Sequence, residues 1–373
     1  MGSSNSSVLT PILNCLVDGV SLTDNQQQQL ASWMLDDPLR ANAFGVTATN
    51  ISQVIQKRSQ LLQRVYPAVQ QLWQDSFKIQ APCLETLWNL WLPLAVKLAE
   101  VRKSLKRPLI QGFLGVQGTG KTTLTAILIL ILGHLGYSAL SLSLDDLYKT
   151  YAERQRLQEQ DPRLIWRGPP GTHDIELGIQ VLDQLGNPKP GQAPIVIPRF
   201  DKFAYGGAGD RTKPEIFEPV DIILFEGWFV GVRPIDPVRF DTAPPPILTA
   251  ADRQFAKDMN IKLQDYLPLW NRLNSLIVLN PIDYRLSQQW RQQAEQQTKR
   301  KHDNKSLAAD RLGMSDAEVK RFVEYFWRAL HPDLFIKPLI QDTRWVDLVI
   351  EINSDHLPGA IYSPLGVTSF YSA

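Results

Sequence analysis

Gly115-Val116-Gln117-Gly118-Thr119-Gly120-Lys121-Thr122 places two glycines, with four residues between them, directly ahead of Lys and Thr. This is the pattern of a phosphate-gripping loop. Its glycines let the backbone curl so that several amide N–H groups converge on one anion. Lys121 adds a mobile positive charge for the outer phosphates, and the Thr122 hydroxyl suits a magnesium ion. Ahead of the loop, Leu109, Ile110, Phe113 and Leu114 read as a buried strand. Behind it, Thr122 to Leu132 is an apolar run long enough for a buried helix, with Gly133 and Gly136 near its end. Strand, glycine loop and helix together form the setting the motif needs, with the helix N-terminus facing the phosphates. Gly115, Gln117, Gly118, Thr119, Gly120, Lys121, Thr122 and Thr123 are therefore the candidate contacts to a nucleoside triphosphate.

Further out, the pattern divides the chain. Residues 1–106 read as an all-helical extension. Ile51, Val54, Ile55, Leu62, Val65, Val69, Leu72 and Trp73 share one helical face, and Leu84, Leu87, Trp88, Trp91, Ala95 and Leu98 share another. Two such stripes imply helices packed on each other or on the next domain, with the tryptophans in the core. From Arg107 to residue 373 strands alternate with helices, so the fold class is α/β: a mostly parallel sheet flanked by helices. Further strands are expected at Ser138–Leu144, Ile195–Ile197, Val220–Phe225, Leu276–Leu279 and Trp345–Ile350. Pro234 to Pro246 reads as a loop. Ser287–Lys301 reads as a polar, Gln-rich helix and Asn304–Gly313 as less regular. Ser315-Asp316-Ala317-Glu318 is a capping box opening a helix that ends near Pro332.

Bulk properties narrow the functional classes. The 373 residues carry a formal net charge of +1, which argues against holding nucleic acid by bulk electrostatics. Cys15 and Cys83 are far apart and lack metal-ligand spacing, so neither a disulfide framework nor a zinc site is expected. The apolar run around Ala126–Leu132 is too short to span a membrane, and Leu84–Ala99 is interrupted by Glu85, Pro93 and Lys97. Met1 to Ser6 formally fits an acylation pattern but has no polybasic patch behind it, and reads as a flexible leader. A cytoplasmic enzyme without an obligate protein partner is expected.

In open parallel sheets ligands sit beyond the carboxyl ends of the strands. Asp145-Asp146-Leu147-Tyr148 follows the second strand and Glu226-Gly227-Trp228 the third, so each brings a carboxylate to the rim that carries the phosphate loop. A carboxylate there can bind Mg²⁺ or accept a proton from a substrate hydroxyl. Two polar loops, Trp166 to Asp174 and Pro198 to Arg211, offer Arg, His and Lys groups suited to a small anionic substrate.

Taken in order, these stretches resemble the D-glycerate 3-kinase family, within the P-loop kinases that include uridine kinase, phosphoribulokinase and pantothenate kinase. The resemblance covers about Arg107 to Ile352. It rests on SLDDLY at Ser143–Tyr148, RGPPGTHD at Arg167–Asp174, FDKFAYGGAGDR at Phe200–Arg211, LFEGWFVG at Leu224–Gly231, WRQQAE at Trp290–Glu295 and GMSDAEVKRFV at Gly313–Val323. The family often has Tyr where this chain has Phe200 and Phe where it has Leu147, and the stretch after Phe326 departs from the usual pattern. The resemblance implies that Asp145 is the catalytic base, with Asp146 its neighbour and fallback. It implies that Glu226 and Thr122 organise Mg²⁺, with Asp145 beside them. Asp146 and Tyr148 would face the substrate together with Arg167, His173, Asp174, Asp201, Lys202 and Arg211 of substrate loops at about 161–213. A lid at about 285–332 would carry Arg291 over the triphosphate.

What the resemblance implies for function is ATP- and Mg²⁺-dependent phosphorylation of D-glycerate on its 3-hydroxyl, a photorespiratory activity, with no nucleic-acid or membrane partner. One alternative is a kinase of the same fold for another small alcohol, such as uridine or pantothenate; the Arg and Lys groups of the loops argue against a nucleoside. Another is a regulatory NTPase, although Asn280-Pro281-Ile282-Asp283 lacks the Lys of a guanine-reading motif.

Overall fold

A computed structural model of the chain describes residues 6–77, 83–189, 191–303 and 314–364. The leader through Asn5 and the segment 304–313 lie outside the described residues. Six helices open the chain: α1 (Ser6–Val17), α2 (Asp24–Leu35), α3 (Pro38–Ala43), α4 (Ile51–Gln71), α5 (Leu84–Thr86) and α6 (Leu92–Ser104). The second expected stripe is buried throughout, at Leu84, Leu87, Trp88, Trp91, Ala95 and Leu98 along α5–α6; of the first, Ile51, Ile55, Leu62, Val65 and Val69 on α4 are buried, while Val54, Leu72 and Trp73 are half-buried against the same core. The tryptophans of the second stripe are core, with Trp88 fully buried.

The sheet contains β1 (Leu109–Gly115), β2 (Ala139–Ser143), β5 (Ile222–Gly227), β6 (Ser275–Pro281), β7 (Leu348–Ile352) and β8 (Pro358–Tyr362), in the order β2-β5-β1-β6-β7-β8. All neighbouring pairs are parallel except β7–β8. β3 (Ile195–Asp201) and β4 (Asp210–Phe217) form a separate antiparallel ribbon. The short strand expected at Ile195–Ile197 is therefore longer and belongs to this ribbon, whereas β4 and β8 had no sequence expectation.

Helices α7 (Lys121–His134), α8 (Tyr151–Gln160), α9 (Ile175–Gly186), α10 (Ala250–Lys262), α11 (Leu267–Trp270), α12 (Leu286–Asp303), α13 (Asp316–Ala329) and α14 (Pro332–Leu339) complete the chain. The expected capping box holds: Ser315 and Glu318 cap each other at the start of α13, which stops at Ala329 before Pro332 opens α14. Pro332 suits a first helical turn, where its missing N–H costs nothing.

Strand periodicity splits the sheet's two faces. Leu109, Phe113, Ile222, Leu224, Ile277 and Leu279 join one buried cluster with α7 and the N-terminal helices. Ile110, Leu114, Ile223, Phe225, Leu276 and Val278 join the other, with residues of α9, α10, α13 and α14. Helix α7 buries Leu124, Ile127, Leu128, Ile131 and Leu132 because it lies between the sheet and α4 and α6. A helix apolar around its whole circumference needs such a double cover. Phe113 sits at the centre of this layer with no exposure, and truncating such a ring to Ala costs about 3–5 kcal/mol. At the edge, Arg102 of α6 pairs with Asp221 at 2.9 Å, and Asp221 also accepts from the Ser138 amide and hydroxyl.

Candidate active site

The loop between β1 and α7 lies at the carboxyl edge of the sheet. Gly118 has φ +85° and Gly120 φ +80°, a left-handed region that L-residues with side chains seldom adopt. Gly120 caps α7, so the first free amides of that helix open into the loop. A Cβ on Gly118 would lie 2.6 Å from Cβ of Trp290, a buried residue of α12. His356, in the β7–β8 turn, packs its ring tilted against Trp290 at 4.7 Å and bonds the Gly118 carbonyl through Nδ1 at 3.0 Å. The loop is thus braced from outside by the sheet edge and by α12. Inside it, the Thr119 hydroxyl donates to the Val116 carbonyl at 2.8 Å. Gln117 lines a cavity of about 30 Å³ with Trp228, Ser287 and Phe326. Thr123 follows in the first turn of α7.

Lys121 donates to the carbonyls of Gly115 at 2.6 Å and Val116 at 3.2 Å. Burial lowers its pKa, opposed by Glu226 and Asp145. The Thr122 hydroxyl donates to Glu226 Oε1 at 3.4 Å, joining the first turn of α7 to the end of β5. Glu226 is 6% exposed, and burial raises its pKa above 4.5 despite the attraction of Lys121. Such a carboxylate is short of positive charge, and its hard oxygen beside a hydroxyl suits magnesium. Among the described residues no group of three or more His, Cys, Asp or Glu could by itself hold a metal. That is consistent with Mg²⁺, which takes one or two protein oxygens and draws the rest from phosphates and water.

Asp145 follows β2 on a short helical turn, Leu144–Leu147, capped by the Ser143 hydroxyl. Its Oδ2 meets Lys202 Nζ at 2.6 Å. Burial opposes its charge, but the ion pair and hydrogen bond to Lys202, together with neighbouring positive charge from Lys121, hold the Asp145 carboxyl below the ordinary value. The turn and the β3–β4 ribbon therefore bring together two residues 57 positions apart in sequence (202 − 145 = 57). Lys121, Thr122, Glu226, Asp145 and Lys202 gather around one rim.

The other expected substrate residues build the wall beyond it. Tyr148 is buried, stacked on His173 with ring centroids 4.4 Å apart and tilted against Phe200 at 5.0 Å. Phe200, which has no hydroxyl, offers its ring to Tyr148 and to the guanidinium groups of Arg154 and Arg167. Asp146 accepts from the Ser143 amide at 3.1 Å and from Arg199 at 2.9 Å, and Asp174 caps α9 while pairing with Arg211 at 2.7 Å. Arg211 also donates to the Tyr148 carbonyl at 3.1 Å. These three side chains are engaged in holding the loops together. Asp201 accepts from the Phe203 amide at 2.9 Å in the ribbon turn. Arg167 donates to the Gly207 carbonyl at 2.6 Å and leaves its other donors at the surface over Phe200. On the lid side, Arg291 pairs with Glu295 at 2.5 Å and rests over Phe322 at 5.3 Å, with its buried Nε unpartnered.

Residues to which the sequence reading gave no individual role complete the packing of these loops. Arg154 reaches from α8 to the Ala208 and Gly209 carbonyls at 2.7 and 2.5 Å, and Arg199 spans Asp146 and Glu215. Tyr266, fully buried after α10, meets His173 Nδ1 at 2.8 Å. Helix α8 buries no residue, so no periodic pattern marked Arg154, and nothing around Tyr266 or His356 marked them.

A lysine and a hydroxyl at a glycine loop, with the carboxylates of Asp145 and Glu226 on the same rim, are parts that a phosphotransferase uses. No family model matches the chain. Over an alignment of 383 positions that covers 96% of this chain and 77% of the relative, it is 29% identical to a chloroplastic D-glycerate 3-kinase of Arabidopsis thaliana. It is 32% identical over 228 residues, 59% of its length and 79% of the relative's, to an uncharacterized kinase of Schizosaccharomyces pombe. Among solved structures, a D-glycerate 3-kinase of Cryptococcus neoformans superposes with a TM-score of 0.63 at 27% identity, covering 72% of this chain and 96% of that one. The chain belongs to the family of P-loop kinases that includes these relatives.

Proposed function

We propose that this kinase transfers the γ-phosphoryl group of ATP to the 3-hydroxyl of D-glycerate, giving 3-phospho-D-glycerate and ADP. The observation that carries the reading is the Asp145–Lys202 pair at 2.6 Å on the same rim as Lys121, Thr122 and Glu226. It combines a proton acceptor, an anion-binding cation and a nucleotide cradle, the three parts needed to join a small hydroxy acid to a triphosphate.

Phosphoryl transfer of this kind is chiefly positioning and charge neutralisation. The loop amides and Lys121 hold the phosphates, with Lys121 exchanging its loop carbonyls for phosphate oxygens. Thr122 and Glu226 would hold Mg²⁺, which when bound neutralises charge on the triphosphate. Asp145 orients the 3-hydroxyl and takes its proton. As that oxygen bonds to phosphorus, the bond from phosphorus to the oxygen bridging to the β-phosphate breaks and ADP leaves. Lys202, paired with Asp145, would meet the substrate carboxylate or the moving phosphoryl group, and Arg167 adds a second, half-buried cation. Arg211 acts through the loop it ties to Asp174 and Tyr148. Arg291 closes over the triphosphate, and exclusion of water protects ATP from hydrolysis.

The compartment we assign is the cytoplasm. Cys15 and Cys83 are unbridged, and among the described residues no helix is long and apolar enough to cross a membrane. A panel of D-glycerate, uridine and pantothenate with ATP and Mg²⁺, read by ADP release and by NMR of the product, tests the function. Phosphorylation of D-glycerate at C3 alone is expected; preferred turnover of either other alcohol, or a 2-phosphate product, refutes it.

A further inference from the structure

Tyr266 belongs to no motif of the site, yet it is one of the largest side chains with no exposure, and its polar end is directed at His173. Its hydroxyl oxygen accepts the Gly171 amide at 2.9 Å. It also meets His173 Nδ1 at 2.8 Å. A phenol has a single proton to give. If Nδ1 carried the imidazole proton, Nδ1–H and Gly171 N–H would both point at the same oxygen, and the Tyr266 O–H would be left without an acceptor in a dry site. With the proton on Nε2, Tyr266 O–H donates to Nδ1 and every group around the phenol is satisfied. One atom is then left over: His173 Nε2 is buried and has no partner.

A buried N–H without a partner is costly, and binding sites are where such groups persist. His173 stacks on Tyr148, and the Asp145 charge acts on its ring. Burial keeps the imidazole uncharged, pushing its pKa down to about 3. The charged donors of the site, Lys202 and Arg167, suit the charged oxygens of a substrate. An uncharged N–H suits an uncharged one.

We infer that Tyr266 is a positioning residue that fixes the His173 tautomer with its proton on Nε2, and that this N–H donates to the hydroxyl of the substrate that is not phosphorylated. In the glycerate reading, on which the choice of hydroxyl rests, that is the 2-hydroxyl. His173 is then the residue that distinguishes glycerate from 3-hydroxypropanoate, which lacks it.

Two measurements on the full chain test this. Histidine-selective ¹⁵N NMR, with the His173 signal assigned by its loss in His173→Gln, is expected to show Nδ1 bare and Nε2 protonated at neutral pH. In Tyr266→Phe, which keeps the ring, a mixture of tautomers is expected. A proton on Nδ1 in the wild type overturns the inference whatever the substrate proves to be. In kinetics, Tyr266→Phe should lower kcat/KM for D-glycerate by about tenfold, with KM for ATP and kcat/KM for 3-hydroxypropanoate changing less than about twofold. In a His173→Gln background, Tyr266→Phe should have no further effect on that ratio. Equal losses on both substrates would reduce Tyr266 to a packing role and overturn the inference. A wild type inactive on both acids refutes the glycerate reading instead, and the NMR result still decides the tautomer.

Discussion

Replacing Asp145 by Asn separates what this side chain does for the fold from what it does for the reaction. Its carboxylate is 29% exposed and its partner Lys202 56% exposed, so water screens their attraction. Ion pairs of that exposure contribute about 0–1 kcal/mol, and Asn keeps the shape and the Ser143 cap to its backbone amide. Stability should therefore change by no more than that. Turnover should not be spared: loss of a positioned proton acceptor typically costs about 10²–10⁴-fold, or about 3–5 kcal/mol of barrier. ATP affinity should change little, because Lys121 and the loop amides are untouched. The assay is coupled ADP release at saturating D-glycerate, with nucleotide titration and a thermal melt on the same preparation. A kcat within fivefold of wild type, with normal melting, would show that Asp145 is not the base.

Three further outcomes follow from the same geometry. Gly118→Ala must adopt a left-handed backbone, costing about 1–2 kcal/mol, and presses its methyl into Trp290, so KM for ATP should rise at least about tenfold; an unchanged KM would mean the loop is not the nucleotide cradle. Glu226 has its folded pKa raised by burial, so its contribution to stability is present below the unfolded value of 4.5 and lost as pH rises through the folded value. Glu226→Gln should therefore melt higher than wild type near pH 7, converge with it near pH 4, and require more Mg²⁺ for activity; a lower melt at pH 7 contradicts the assignment. Arg291→Met should cut kcat by about 10–100-fold with little change in D-glycerate KM, measured by ADP release; a twofold effect would leave Arg291 only its pairing with Glu295.

The central sheet and its loop were legible because the physics there is local and redundant. β1 is buried along its whole length, and a strand of that kind entering a glycine turn has few other readings. Asp145 and Glu226 could be placed because strand ends in a parallel sheet share one rim. The β3–β4 ribbon was missed because most of β4 is exposed, so no apolar alternation marks it, and Gly206, Gly207 and Gly209 signal a loop. β8 was missed for a related reason: it is a short antiparallel strand at the sheet edge, paired with β7 across the Asn353–Leu357 turn. Asp146, Asp174 and Arg211 look like ligand groups in sequence because a charge in a polar loop reads the same whether it meets substrate or another loop. Only the fold shows Arg199 and Arg211 already paired with Asp146 and Asp174. Tyr266 was beyond reach, since its meaning depends on a contact 93 residues away.

Helix α7 has a consequence for inheritance. It carries the loop lysine, and it is greasy on the side turned away from the sheet as well as on the side turned toward it. The opening helices are therefore a floor under the kinase, not a passenger ahead of it. Any kin that dispense with this floor must lay another over the same surface, from an insertion or a second subunit, or rewrite the outward side of α7 in polar residues.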